Sequence, residues 1–216
     1  MTRFSLPISV ALAASAAVLV TACGGGGTDD SGTVQSSRTA SATVTPAATP
    51  TASGSVGRPE ITLPAGARNV FEGQHTGDAK KDAVLYDNSQ WVNSMDAAIF
   101  QGSLDSTAVG FYSKDRALEG AVTFIKGYLD SGDTWVGTTR FFDREVTFAS
   151  DGSAAVIYCS DETKAFLKDR KTGKVDNTPN SANSYVLYNT RLEQNDLGVW
   201  QTVSVVSDRG AGQCQP

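Results

Sequence analysis

Apolar side chains recur with helical spacing between residues 78 and 102. Steps of three and four residues place one apolar stripe on a helix, formed by Leu85, Trp91, Val92, Met95, Ala98 and Ile99. Asp78 can cap this helix, because its carboxylate can accept from the free backbone N–H groups of a first turn. Gly102 marks its end. The charged side chains lie mostly off the stripe, namely Lys80, Lys81, Asp82 and Asp87.

Two further helices are predicted downstream. A short one covers residues 106–112, and a longer one has apolar positions over residues 118–129. Ser113 or Asp115 is expected to cap the longer helix, and Ser131-Gly132 to end it.

Gly120 and Gly127 lie inside this third helix. A glycine costs about 1 kcal/mol relative to alanine in a helix interior. We therefore expect both glycines to pack closely against a sheet.

From Thr134 onward the hydrophobic period changes to two, which is typical of half-buried strands. Strands are predicted at residues 135–142, 145–149, 154–160, 184–193 and 199–206. Turn signals predict hairpins at Asp151-Gly152 and at Thr172-Gly173, and residues 60–63 are expected to form a short edge segment. Helices followed by antiparallel strands predict a single α+β domain over residues 59–216.

The start of the chain reads as an export signal. Arg3 is followed by an apolar run over residues 8–20, and Val20-Thr21-Ala22-Cys23 resembles the lipobox of bacterial lipoproteins. We therefore expect residues 1–22 to be a signal peptide, Cys23 to carry the lipid, and the protein to lie on the extracytoplasmic face of the cell membrane. The alternatives are an ordinary signal peptide with an accidental cysteine, or an uncleaved anchor.

Residues 24–58 are rich in Gly, Ser, Thr, Ala and Pro. Such a segment cannot bury enough apolar surface to offset the entropy of ordering it. We expect residues 23–58 to be the lipidated cysteine and a disordered tether.

Composition excludes several classes of partner. The chain has 216 residues, 40% of them hydrophobic, and a net charge of −5. Nucleic-acid binding requires a Lys/Arg footprint, which an acidic chain without a basic cluster lacks. The same charge disfavours adhesion to anionic lipid headgroups beyond the lipid anchor itself.

The remaining cysteines, Cys159 and Cys214, are expected to pair, because leftover thiols of an exported chain usually form a disulfide. The alternative is two unpaired buried thiols. These cysteines and His75, the only histidine, do not make a zinc ligand set. No metal and no other cofactor is predicted.

The order of these elements resembles the nuclear transport factor 2-like superfamily, in the form found in secreted lipoproteins of high-GC Gram-positive bacteria. The residues that carry the resemblance are the strand Ala155-Val156-Ile157-Tyr158-Cys159-Ser160-Asp161, the turn Leu197-Gly198-Val199-Trp200 and the closing Cys214. The resemblance implies a strongly curved antiparallel sheet that wraps the long helix into a cone, often with a pocket at the open end. The superfamily contains ketosteroid isomerases, dehydratases and many binding modules, so the fold does not choose a function.

Four residues are candidates for such a pocket: Asp96, Tyr128, Trp135 and Tyr158. Asp96 borders the apolar stripe and can point into the cone; the alternative is a solvated residue on the flank of the helix. The aromatic residues can equally be core. No residue matches a catalytic motif, and none is assigned a catalytic role.

Three functions remain. The favoured one is a non-catalytic accessory module of the cell envelope that binds a small molecule or an envelope protein. The others are a structural protein of the envelope, which can form a homodimer through its sheet, and a cone-fold isomerase or dehydratase. An enzyme should have a buried acid with a raised pKa near a hydroxyl donor in an apolar pocket. A binder should have an apolar or aromatic pocket without that acid. A structural protein should have a filled cone and a broad apolar sheet face.

Overall fold

The computed structural model describes residues 57–216. The predicted signal peptide, the lipidation site Cys23 and almost all of the predicted tether lie outside the described residues. Within residues 57–216, no helix is both long enough and apolar enough to span a bilayer.

Three helices precede most of the sheet. They are α1 (Ala79–Gln101), α2 (Thr107–Tyr112) and α3 (Asp115–Ser131). The Asp78 carboxylate caps α1 by accepting from the backbone N–H groups of Lys80 at 2.8 Å and Lys81 at 3.2 Å. Helices α1 and α3 end at Gly102 and Gly132, both of which have positive φ and so terminate a helix without a Cβ penalty.

Two predictions about α3 are wrong. Its cap position is held by Lys114, without a side-chain hydrogen bond, because the Ser113 hydroxyl already donates to Val109 O at 2.7 Å within α2. Asp115 is the first residue of the helix rather than its cap. Gly120 and Gly127 face solvent, and a Cβ at either would meet no atom within 4 Å. No close packing against the sheet compensates for them.

The sheet is mixed rather than purely antiparallel. Its strands are β1 (Ala67–Phe71), β2 (Asp133–Phe148), β3 (Ala154–Asp169), β4 (Val175–Asp176), β5 (Tyr185–Gln194) and β6 (Trp200–Arg209). The order is β1-β2-β3-β5-β6, with β4 paired to β3. Strand β1 runs parallel to β2, since the three helices form a crossover between them, and the other pairs are antiparallel. Hydrophobic periodicity does not report strand direction, so this pairing was not predictable from the pattern.

Two predicted strands are one continuous strand in the structure. Residues 135–142 and 145–148 both belong to β2, which has a register shift between Phe142 and Glu145 instead of a break and ends one residue before the predicted Ala149. Asp143 has φ 50° at this bulge. Bulges bend a strand and increase its twist, which curves the sheet around α1. The predicted edge segment at 60–63 is not a strand; β1 begins at Ala67.

The pairing of β2 with β3 is close enough at one point to require glycine. Gly137 has φ 111°, and a Cβ there would lie 2.0 Å from the backbone carbonyl oxygen of Lys164. Any other residue at this position would displace one of the two strands.

The core lies between α1 and the concave face of the sheet. Its main cluster joins α1 to β2, β3, β5 and β6 through Val84, Leu85, Trp91, Val92, Phe141, Val146, Val156, Tyr158, Leu192 and Trp200. A second cluster holds the helices together through Ala98, Ile99, Val109, Ala121 and Ile125. The predicted α+β class, with helices packed in a curved sheet, is therefore confirmed.

The Cys159–Cys214 disulfide fixes the C-terminal turn, Gly212–Cys214, to β3. The two cysteines are separated by 55 residues. In the chain-entropy description a loop of this length stabilises the fold by about 4 kcal/mol.

Candidate functional site

A cavity of about 210 Å³ lies between α1, α3 and the concave face of the sheet. We call it the Asp96 cavity. All four candidate pocket residues line it, namely Asp96 from α1, Tyr128 from α3, Trp135 from β2 and Tyr158 from β3. The structure therefore brings together residues that are widely separated in the sequence.

Asp96 supplies the carboxylate of the cavity and is held by two neutral donors. Asn69 Nδ2 donates to Asp96 Oδ2 at 2.6 Å, and Trp135 Nε1 donates to Oδ1 at 3.1 Å. Within residues 57–216 the carboxylate forms no ion pair. Burial outweighs these two hydrogen bonds and raises the pKa of Asp96 to about 6.

Aromatic rings form about half of the wall around this acid. The Tyr158 ring stacks on Tyr188 at 5.0 Å between centroids and meets Phe141 edge-on at 6.1 Å. Phe124 and Tyr128 of α3 lie 5.3 Å apart on the other side. Burial raises the pKa of Tyr128 and of Tyr188 to about 12, so both hydroxyls are neutral donors at physiological pH.

A second acid, Glu162 of β3, lines the same cavity but is already paired. Arg209 of β6 binds it with both terminal nitrogens, at 2.6 Å and 3.1 Å, and also donates to Asn183 O at 2.7 Å. This bidentate pair stands between the Asp96 cavity and a more polar cavity of about 330 Å³ beside residues 176–184. The charges of Glu162 and Arg209 cancel, so the net charge of the side chains that line the Asp96 cavity is that of Asp96.

The sequence reasoning missed three residues of this site: Asn69, Glu162 and Arg209. Asn69 belongs to β1, which was not predicted because its parallel partner lies beyond three helices. Glu162 and Arg209 lie where β3 and β6 extend past their predicted ends. Residues 160–164 are all polar, so no hydrophobic alternation signals that the Ala154–Asp169 strand continues there; once it continues, side-chain alternation places Glu162 on the same face as Tyr158.

Other residues considered from the sequence lie elsewhere. His75 is exposed in the loop before α1, with Nδ1 3.8 Å from Asp82 Oδ2. Asp143 and Glu145 are exposed at the bulge of β2. Within the described residues, no three His, Cys, Asp or Glu side chains cluster as metal ligands.

The outer face of the sheet exposes apolar side chains at separated points. Ile157 is 40% exposed and Val206 is 71% exposed. Asn189 lies between them in the pairing of β3, β5 and β6. The polar side chain interrupts the apolar surface that a dimer through this face would use.

Comparison with known proteins gives a likeness of fold only. No protein-family model and no curated protein matches the sequence. The intermembrane-space region of the chloroplast protein ARC6 is 13% identical, covering 61% of this chain and 97% of that chain, with a TM-score of 0.36. Aln2 from a Streptomyces species is 16% identical, covering 59% of this chain and 88% of that chain, with a TM-score of 0.41.

A ketosteroid isomerase-like protein from Erwinia carotovora atroseptica is 12% identical, covering 61% of this chain and 97% of that chain, with a TM-score of 0.40. These scores are too low to support an argument about function. The description of the fold rests on the helices, strands and pairings given above.

The chemistry of the cavity follows from Asp96. A carboxylate oxygen can accept more than one hydrogen bond, so each oxygen of Asp96 retains acceptor capacity beyond its contact with Asn69 or Trp135. Such a group can hold a donor or a cation, or can accept a proton from a bound molecule.

Proposed function

We propose that the described domain binds a small molecule in the Asp96 cavity. The observation that carries this proposal is an unpaired carboxylate at the wall of an aromatic cavity. Ligand sites are typically apolar concavities with a few polar groups that orient the ligand, and this cavity has that composition. A protein with a purely structural role would be expected to fill its cone.

Binding is tested with three probes that share a benzyl group and differ in charge: benzylammonium, benzyl alcohol and phenylacetate. We expect at least one of them to bind the wild-type protein in ligand-observed NMR. Ala165→Phe, which fills the cavity from β3, should abolish that binding. Lys164→Phe is the matched control, because neighbouring strand residues point to opposite faces. Equal binding by the two variants, or no binding of any probe, would contradict the proposal.

Membrane anchoring forms a second part of the proposal and is supported by the sequence alone. A lipid on Cys23 would hold the domain on the extracytoplasmic face, and the polar segment after it would act as the tether. We expect Cys23→Ala to move the protein from the membrane fraction to the soluble fraction. If the Cys23→Ala protein stays in the membrane fraction, lipid anchoring is ruled out. The proposal that the Asp96 cavity binds a ligand would be unaffected by that result.

Proton transfer is the second candidate function. The raised pKa of Asp96 is suited to a general base near neutral pH, and neutral tyrosine hydroxyls line the same cavity. The structure meets neither sequence-based criterion in full. The cavity contains the acid with a raised pKa that the criterion for a binder excluded, and the donors that reach Asp96 within residues 57–216 are an amide and an indole rather than the hydroxyl expected of an enzyme.

Deuterium exchange tests this second function. An enzyme would transfer deuterium from D₂O to the carbon next to the carbonyl of phenylacetone, with a rate that rises with pH around 6. Asp96→Asn would lose this exchange while retaining the bound ketone. Absence of exchange with a bound ketone would leave the binding function alone.

Two partner predictions remain beside these. One is an envelope protein bound at the mouth of the cone or on the sheet, and the other is a homodimer through the sheet. Analytical ultracentrifugation of the protein over a range of concentrations tests the homodimer.

A further inference from the structure

The charge arrangement in the Asp96 cavity narrows the class of ligand. Glu162 and Arg209 neutralise each other through two hydrogen bonds. Asp96 has neutral donors on both oxygens and no cationic partner within residues 57–216. A buried carboxylate without a counter-charge is unfavourable, and a ligand that brought positive charge to it would relieve that penalty.

The aromatic wall favours the same kind of ligand. The rings of Trp135, Tyr128, Tyr158 and Tyr188 surround the cavity that Asp96 borders. The faces of aromatic rings carry partial negative charge and attract ammonium groups, more strongly when water is excluded. An anionic ligand would meet the Asp96 carboxylate and would be repelled by it.

We propose that the natural ligand of this cavity is a small organic cation, with an ammonium group at Asp96 and an apolar body against the aromatic wall. This inference rests on the proposed binding function and names the ligand class for it. The ammonium donates to the free acceptor positions of Oδ1 and Oδ2, while Asn69 and Trp135 keep their hydrogen bonds to the same oxygens.

The pH dependence of binding follows from the groups that face Asp96. Tyr128 of α3 and Tyr188 of β5 are neutral, because burial raises their pKa values to about 12. Glu162 of β3 is held by Arg209 of β6. Asp96 itself loses its charge below a pKa of about 6. Affinity for a permanent cation should therefore fall as the pH is lowered from 7.5 to 5.

The experiment compares benzylammonium, benzyl alcohol and phenylacetate by calorimetry at pH 7.5, and benzylammonium, which stays protonated over this range, is also used for the pH series. We expect benzylammonium to bind the wild-type protein about tenfold more tightly than benzyl alcohol, and phenylacetate to bind more weakly than either. Asp96→Asn should remove the preference for the cation and retain the affinity for benzyl alcohol. Asp130→Asn, which removes an exposed acid from α3, is the control for net charge and should leave the preference unchanged.

The outcomes separate this inference from the function on which it rests. If benzyl alcohol or phenylacetate binds as tightly as benzylammonium or more tightly, the proposal of a cationic ligand is overturned. The cavity would then bind another class of ligand. Preserved cation preference in Asp96→Asn would show that the ammonium does not bind at this carboxylate. Failure of all three probes to bind would remove the binding function and the cation together.

Discussion

Two of the aspartates in helix α1, Asp87 and Asp96, are in opposite situations. Asp87 is fully buried and paired: the Arg58 side chain binds both of its oxygens, and the backbone N–H of Trp200 donates to Oδ2 at 2.8 Å. Asp96 has only neutral donors and borders a cavity. The first acid is satisfied by the protein itself, whereas the second retains acceptor capacity that a ligand can use.

The Asp87 site joins distant parts of the chain. Arg58 lies at the start of the described residues, and its guanidinium also lies 5.3 Å from the centroid of the Tyr86 ring. Trp200 begins β6. Burial raises the pKa of Asp87, and the hydrogen bonds from Arg58 and from the Trp200 N–H oppose that shift. The Arg58–Asp87 ion pair therefore links the segment before β1 to α1 and β6.

Removal of the Arg58 guanidinium would leave Asp87 unpaired, like Asp96, and should have the largest effect on stability. Arg58→Met keeps much of the length of the side chain but leaves Asp87 buried without a counter-charge. The expected loss in the free energy of unfolding at pH 7 is about 3 kcal/mol, at the lower end for a broken buried pair because Arg58 is partly exposed. Urea unfolding gives the value.

Arg58→Lys is the matched control and should lose less, because an ammonium can still pair with Asp87. A loss by Arg58→Met that is no larger than that of Arg58→Lys would mean that the charge pairing at Asp87 contributes little. The affinity of the Asp96 cavity for its probes should be unaffected by either change.

Asp96→Asn tests the unpaired acid through the pH dependence of the free energy of unfolding. The folded-state pKa of about 6 lies above the ordinary value of 3.8, so the folded state holds the proton more tightly than the unfolded state. The free energy of unfolding of the wild-type protein therefore falls as pH rises from about 4 to about 6 through this group. The full shift corresponds to about 3 kcal/mol; with the carboxyl partly exposed, we expect about 2 kcal/mol.

Relative to the wild-type protein, Asp96→Asn should accordingly gain about 2 kcal/mol in the free energy of unfolding between pH 4 and pH 8. At both pH values one donor, Asn69 or Trp135, loses its acceptor, because the amide side chain has a single oxygen. Urea unfolding at the two pH values measures the difference. Asp130→Asn provides the comparison: it removes an exposed ion pair with Lys126, which contributes little to stability, so the free energy of unfolding should change little at either pH. If Asp96→Asn changes stability equally at both pH values, the folded-state pKa of Asp96 is not raised.

The two aspartates also show what the sequence pattern could and could not predict. The apolar stripe of α1 placed Asp96 at the edge of the core because that information is local. The same stripe placed Asp87 among the charged residues that lie mostly off it, although Asp87 is fully buried. Its burial depends on Arg58 and Trp200, and contacts at such separations leave no periodic signal. Asn69 was missed for the same reason, since β1 pairs with a strand beyond the helices.

The smallest expected effect concerns α3, which supplies Phe124 and Tyr128 to the Asp96 cavity, whereas the Asp87 site is formed by Arg58, α1 and β6. Gly127 of α3 faces solvent, and a Cβ there would meet no atom within 4 Å. Gly127→Ala should therefore raise the free energy of unfolding by about 0.5–1 kcal/mol, because alanine loses less conformational freedom in a helix.

Urea unfolding measures this gain, and probe affinity should stay unchanged because the new methyl group points away from the cavity. Gly137→Ala is the opposing control: its φ of 111° and the Lys164 carbonyl oxygen leave no room for a Cβ. That variant should be strongly destabilised. A loss of probe affinity in Gly127→Ala at unchanged or higher stability would show that binding in the Asp96 cavity depends on freedom of α3, a property that the paired Asp87 site does not require.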